Sequence, residues 1–357
     1  MSAEFLLPEN LLVVRLGAMG DIVHTLHAVA ALRQALPDAR IGWVVEERWA
    51  ELLCRRGNPR SGPRTPSRPL VDFVHSVDTK RWRKSLISPH TQREIAAALR
   101  EVRKQKYQLA ADFQGALKTA VIARCAGAET VVGMEHPREA PARTFYQHRI
   151  ATSGAHVIEQ YRSIAEAVVD TSLPSPDIVF PTDEKAEASI RRKLEELNEH
   201  FVLINPGAGW GAKQWPTERY GEVAKALAGS GVHSLINFGP GEEKLALAVQ
   251  SASDGTACPV SCSIAELIAL TRRARLFIGG DTGPLHLAAA LKIPVVAIFG
   301  PTDPARNGPY GTRSIALRNV ASRNSLSHTS VPDPGLLNIA AEEVITAARN
   351  LLGASRA

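Results

Sequence analysis

Two stretches of this chain follow one plan. In LLVVRLGAMGDIVHTL (residues 11–26) an apolar run of strand type meets Gly17 and Gly20, then Asp21, then a helix-forming segment. In FIGGDTGPLHLAAAL (residues 277–291) an apolar run meets Gly279 and Gly280, then Asp281, Thr282 and Gly283, then a helix of small residues. A strand that turns into a helix through glycine and a carboxylate belongs to open parallel sheets. Their ligands sit beyond the carboxyl ends of the strands, where helix N-termini expose backbone amides. One such junction near each end of 357 residues, long for a single core, predicts two domains that each carry half of a site.

The intervening pattern alternates in the same way. Strands are predicted at residues 11–16, 41–45 and 109–112, with helices at 21–35 and 115–126 and another opened by a capping box at Thr91 and Glu94. Residues 55–69 (RRGNPRSGPRTPSRP) have no periodicity and read as a mobile loop. A proline-rich polar stretch at 170–185 reads as an interdomain linker. Beyond it, strands at 201–205, 232–238, 276–278 and 295–299 alternate with helices at 217–228, 241–251 and 283–291; Ser263 and Glu266 form a second capping box, and 342–352 is an amphipathic terminal helix. The class is α/β, with two Rossmann-like domains.

No apolar run approaches the roughly 18 residues of a membrane-spanning helix. The start, MSAEFLLPENLLVV, has no basic segment before an apolar core, so no signal peptide is expected. The four scattered cysteines, Cys54, Cys125, Cys258 and Cys262, fit structural thiols better than a metal site. The formal net charge of +6 is uneven: residues 55–106 hold 14 Lys and Arg against 4 Asp and Glu. That asymmetry predicts an acidic partner, whether nucleic acid, lipid head group or substrate.

Asp21 stands where a helix N-cap carboxylate stands, and is a cap or a catalytic base. Glycines on its N-terminal side leave room for a substrate. Thr282, Gly283 and the amides that follow can hold phosphate oxygens, with His286 one turn further on; a capped turn with a core histidine is the plainer alternative. Gly207, Gly209 and Lys213, in NPGAGWGAKQWP, offer amides and a cation to a diphosphate, without the spacing of a P-loop. Lys80-Arg81-Trp82-Arg83-Lys84 is a basic patch or a solvated face. It lacks the stacking series of aromatics that nucleic-acid binding uses. Asp112, Gln114, Lys118, Arg138, Glu139 and Arg143 are polar groups near predicted strand ends or loops of the first domain.

RLGAMGDIVHT, WVVEE, KRWRK, DFQGALKTA, AKQWP, FGPGEE, DTGPLHLAAAL and FGPTDP occur in the order found in glycosyltransferase family 9. The chain resembles that family, the bacterial lipopolysaccharide heptosyltransferases, over most of its length. The resemblance implies a GT-B fold, two Rossmann-like domains facing across a cleft. Residues 1–172 would bind acceptor, 173–185 would link, 186–339 would bind donor, and the helix in 340–357 would pack back on the first domain. It implies inverting transfer from ADP-L-glycero-D-manno-heptose to the Kdo sugar of Kdo-lipid A, with no cofactor and no metal. Asp21 would be the base. Lys213, Asp281, Thr282, Gly283 and His286, with Gly207 and Gly209, would hold the diphosphate, and Glu242 and Glu243 the nucleoside. Gly17, Gly20, Arg81, Arg83, Lys84, Gln114, Lys118, Arg138 and Arg143 would meet the acceptor. The implied setting is a cytoplasmic monomer at the anionic inner-membrane surface, with no nucleic acid. GAMGD, KRWRK, DFQG and GPTDP are nearer to the member that adds the first heptose, and NPGAGWGAKQWP to the member that adds the second. A non-catalytic nucleotide-sugar or anionic-lipid binder is the reading from another class.

Overall fold

Strands buried on both faces of a parallel sheet read as unbroken apolar runs, and NLLVV, with all five residues buried, is one. The computed structural model describes residues 7–195, 200–325 and 329–353, and the chain divides between Thr182 and Asp183 into two α/β units.

The first unit runs β1 (Asn10–Val14), α1 (Met19–Ala35), β2 (Arg40–Glu46), β3 (Phe73–Val77), α2 (Thr79–Lys84), α3 (Pro89–Arg103), β4 (Leu109–Asp112), α4 (Leu117–Cys125), β5 (Thr130–Met134), β6 (His148–Ile150) and α5 (Val157–Val169). Its six strands are parallel in the order β3-β2-β1-β4-β5-β6. The order reverses between β1 and β4, where Leu11 pairs with Leu109 on one side and Ile41 of β2 on the other. Such a switch point opens a crevice at the carboxyl ends of the strands. The first glycine–aspartate junction follows β1 directly.

The second unit runs α6 (Glu184–Glu195), β7 (Phe201–Asn205), α7 (Thr217–Ala228), β8 (His233–Phe238), α8 (Glu243–Ala252), β9 (Ala257–Ser261), α9 (Ile264–Thr271), β10 (Leu276–Gly280), α10 (Gly283–Ala290), β11 (Val295–Phe299), α11 (Pro304–Asn307), β12 (Ser314–Arg318), α12 (Pro334–Leu337) and α13 (Ala341–Gly353). Its strands, also six and parallel, are ordered β12-β11-β10-β7-β8-β9, with the reversal between β10 and β7. The second junction follows β10. Among the described residues no helix is long and apolar enough to cross a membrane.

Two expectations change. Residues 55–69, expected to be mobile, are organised around a buried arginine: Arg68 donates to the carbonyls of Pro59, Gly62, Pro63 and Val71. Arg60 forms a two-pronged pair with Glu47, and Arg64 lies 3.6 Å from Asp72, so much of this loop's charge is already answered. The helix expected to open at Thr91 begins at Pro89 instead; Thr91 Oγ1 lies 2.9 Å from Ser85 Oγ, and Glu94 pairs with Arg81. The Ser263–Glu266 capping box is present, with Glu266 N donating to Ser263 Oγ at 3.2 Å.

The terminal helix α13 belongs to the second unit's core. It packs on α7 and on β10, β11 and β12 of its own unit, where Val344, Ala347 and Ala348 join a core containing Val202, Ile278 and Ile298. Alanines at 347 and 348 let the helix approach the sheet closely. The segment leading into α13 is tied down by Trp215 Nε1, which donates to Ile339 O at 3.1 Å, and by Arg219, which donates to Leu337 O and Ile339 O. Val344 is fully buried in that core, so Val344→Ala is expected to cost about 2 kcal/mol in urea denaturation. A surface helix would lose only a few tenths.

Candidate active site

At the second switch point, the loops after β7 and β10 are joined by one ion pair. Lys213 Nζ donates to the Asp281 carboxylate and lies 3.4 Å from Asp281 O. The side chains are 12% and 7% exposed, so the pair is largely dry. His286, one turn into α10, donates through Nε2 to the other carboxylate oxygen at 3.0 Å. Burial alone would raise the Asp281 pKa, but the His286 hydrogen bond, its charge and that of Lys213 outweigh it and hold the carboxyl well below the usual range. The lysine is braced from another side by Trp210, whose ring centre lies 4.5 Å from Nζ. Asp281 therefore serves a cation, and the cation and amides remain for an anion.

Those amides open α10. Thr282 is its extended N-cap residue and makes no side-chain cap; its Oγ1 is buried with no partner among the described residues. The first-turn amides of a helix have no partner within it, and here Pro284 removes one of them. Gly207, after β7, sits under the Glu242 carboxylate, which a Cβ would overlap. Glu242 accepts from Gly239 N at 2.8 Å and Glu243 from Gly241 N at 3.2 Å, so both carboxylates shape the loop after β8. Gly209 is exposed with open space around it. Beneath, Asn237 Nδ2 donates to Asn205 Oδ1 at 2.7 Å, tying β8 to β7 at their carboxyl ends.

The first switch point has the opposite polarity. Asp21, in the first turn of α1, accepts from Ala18 N at 3.0 Å and pairs with Arg15 Nη2 at 2.7 Å, both through Oδ2. It is thus a cap in part, yet Oδ1 has no partner among the described residues and the side chain is 39% exposed. Arg15 is buried; its Nη1 donates to Phe113 O at 2.7 Å and Tyr161 Oη at 2.9 Å. The sequence reading missed both Arg15 and Tyr161. An arginine inside the apolar run LLVVRL was the available signal, because a buried guanidinium has to find partners. Gly17 leaves room for the Trp49 ring: a Cβ there would stand 3.0 Å from Trp49 Nε1. Gly20 is buried in the first turn of α1.

Gln114, expected at the acceptor, turns inward and accepts from Leu16 N at 3.0 Å, linking the β4 turn to the β1 turn across the switch point. The β4 turn is pinned by Asp112. This buried carboxylate accepts from Tyr146 Oη (2.7 Å), Thr119 Oγ1 (2.9 Å) and the amides of Gln114 and Gly115 (2.8 and 3.2 Å). Gly115 has φ 66°, and a Cβ there would press on the backbone of Arg138. Lys118 is exposed, 3.4 Å from Thr79 Oγ1. Arg138, Arg143, Arg83 and Lys84 are exposed. Arg81 is committed, at 2.7 and 2.8 Å to Glu94 and 3.4 Å to Asp78. Among the described residues no three His, Cys, Asp or Glu side chains are grouped so as to hold a metal ion.

Residues 95–332 match glycosyltransferase family 9 (heptosyltransferase). The chain is 29% identical over 314 residues to lipopolysaccharide heptosyltransferase 1 of Pseudomonas aeruginosa, covering 86% of this chain and 83% of that one. It is 28% identical over 326 residues to the protein of the same name from Escherichia coli, covering 88% and 97%. Among solved structures it is similar to the E. coli heptosyltransferase WaaC with ADP, at 26% identity and a TM-score of 0.75 over 96% of this chain and 99% of that one. The shared fold, two parallel-sheet α/β domains in one chain, is of the GT-B type.

The depressed Asp281 pKa gives a signed pH effect. A carboxyl with a folded pKa below its unfolded one contributes stability above the ordinary aspartate range, and that stability is lost as pH falls through and below about 4. Asp281→Asn is expected to lower stability at neutral pH and to make the acid-side decline shallower than in the parent protein. Parallel acid titrations followed by circular dichroism check this, and identical slopes would remove the pair from the account.

Proposed function

This chain belongs to glycosyltransferase family 9, the heptosyltransferases, and on that premise we propose that it moves heptose from ADP-heptose to the Kdo sugar of Kdo-lipid A. As a glycosyltransferase of lipopolysaccharide core assembly, it needs a place for a leaving diphosphate and a base for an acceptor hydroxyl. The observation that carries the reading is the braced cation of the second unit, Lys213 held by Asp281 beside the opening of α10.

Asp21 Oδ1 takes the proton of the acceptor hydroxyl. The hydroxyl oxygen forms a bond to the anomeric carbon of the donor as the bond to the diphosphate breaks, and ADP leaves with the electron pair. A single displacement inverts the anomeric centre. Charge gathers on the leaving diphosphate, where Lys213, Thr282 and the first amides of α10 act as preorganised donors. Glu242 and Glu243 take the nucleoside. Arg83, Lys84, Lys118, Arg138 and Arg143 meet the phosphates and carboxylates of the acceptor, while Arg15 and Gln114 hold the junction that carries Asp21. Because such an acceptor is anchored by acyl chains, the enzyme works at an anionic membrane surface.

Incubation with ADP-heptose and Kdo-lipid A should give a product one heptose heavier together with free ADP. Transfer only to an already heptosylated acceptor would support addition of the second heptose, as the NPGAGWGAKQWP loop suggests. Asp21→Asn should lower kcat by roughly 10²–10⁴ while ADP affinity stays near that of the parent protein; undiminished turnover would exclude Asp21 as the base. Lys213→Ala should weaken ADP binding by roughly 1.5–3 kcal/mol by calorimetry, as expected when a hydrogen bond to a charged group is lost. Unchanged affinity would return Lys213 to a structural role.

A further inference from the structure

The corner between α2 and α3 presents two adjacent large apolar side chains to solvent, Leu86 at 55% and Ile87 at 90% exposure. Single exposed apolar residues are ordinary; an adjacent pair on a rigid support is less so. The support is rigid here. Trp82 packs against the first unit's core, Ser85 Oγ lies 2.9 Å from Thr91 Oγ1, and the amides of Ser85 and Ser88 bond back to Trp82 O and Ser85 O. The chain thus holds Ile87 outward although both of its flanks are anchored inward.

Around this tip the unpaired charge is of one sign. Lys80, Arg83 and Lys84 of α2 and Arg93 of α3 are exposed and have no ion-pair partner among the described residues, whereas the corner's carboxylates, Asp78 and Glu94, are occupied by Arg81. The start of α4 reaches the start of α2 through Lys118 and Thr79, and α4 adds Leu117 and Val121, exposed at i and i+4. An apolar tip in a cationic collar matches the layers of an anionic bilayer, with hydrocarbon beneath a negative head-group plane.

We infer that the Leu86–Ile87 corner inserts into the interfacial layer of an anionic membrane, while Lys80 and Arg93 lie on the head groups beside Arg83 and Lys84, the contacts to the acceptor's anions. This deepens the proposed function, and rests on it only for the biological reason to dock: the tip would bring the first unit to an acyl-anchored acceptor. Binding requires both parts, since diffuse attraction alone is screened by salt and insertion is not.

The test is co-sedimentation of the full-length protein with vesicles of equal parts phosphatidylglycerol and phosphatidylcholine, and with phosphatidylcholine alone. The parent protein should partition onto the anionic vesicles and retain part of that binding at high salt. Leu86→Ser/Ile87→Ser should lower partitioning about tenfold or more, the scale expected when two aliphatic side chains leave the interface, and Ile87→Trp should preserve or raise it. Calorimetry should show ADP affinity unchanged in both variants, which checks the fold and the donor site separately. Equal partitioning of the double-serine variant overturns the inference, as does equal binding to neutral vesicles, or binding to duplex DNA in place of vesicles. Heptose transfer to a delipidated, water-soluble acceptor is a separate assay; its failure in the parent protein would refute the functional reading and leave the vesicle result standing.

Discussion

The buried pair of Lys213 and Asp281 is the contact on which the second unit's site depends. Removing two charges from water is costly, and a buried pair is retained only where geometry and further hydrogen bonds compensate. Here His286 satisfies the second carboxylate oxygen and Trp210 lies beside the ammonium. The pair joins the turns after β7 and β10, the two strands at the point where the sheet's order reverses. A flexible lysine is thereby turned into a fixed positive point next to a helix N-terminus. Preorganised charge of this kind is what a departing diphosphate requires, because the site does not have to reorganise as the bond breaks.

The first unit uses the same architecture with the signs exchanged. At its switch point the cation, Arg15, is the buried member and the carboxylate, Asp21, is the accessible one. The guanidinium spends its other hydrogen bonds on Phe113 O and Tyr161 Oη, so it cannot follow Asp21 outward. One oxygen of the carboxylate is fixed, and the other has no partner among the described residues. Gln114 reinforces this by bonding the β1 turn to the β4 turn. In each unit, then, the deeper partner of the pair aims the shallower one.

Much of this was legible in the sequence because it lies along the chain. The apolar runs of β1, β7, β10 and β11 and the glycine–aspartate turns after β1 and β10 are local signals, and local hydrogen-bond geometry enforces them. What escaped detection depends on distance in sequence. Arg15 meets Tyr161 across 146 residues, and nothing near either residue announces the contact. The bond from the Leu16 amide to Gln114 likewise spans 98 residues, and nothing near either residue announces it. The terminal helix showed its amphipathic face without showing which core it would complete; the small residues Ala347 and Ala348 find that core on β10–β12 and α7. The 55–69 loop looked mobile by composition, yet Arg68 supplies from within the donors that its carbonyls need.

The decisive experiment is a crystal structure of the protein with ADP. Diphosphate oxygens are expected within hydrogen-bonding distance of Lys213 Nζ and of the amides that open α10, with the Lys213–Asp281 pair still in place. A diphosphate bound elsewhere, with Lys213 and the start of α10 untouched, would rule out a donor site at this pair.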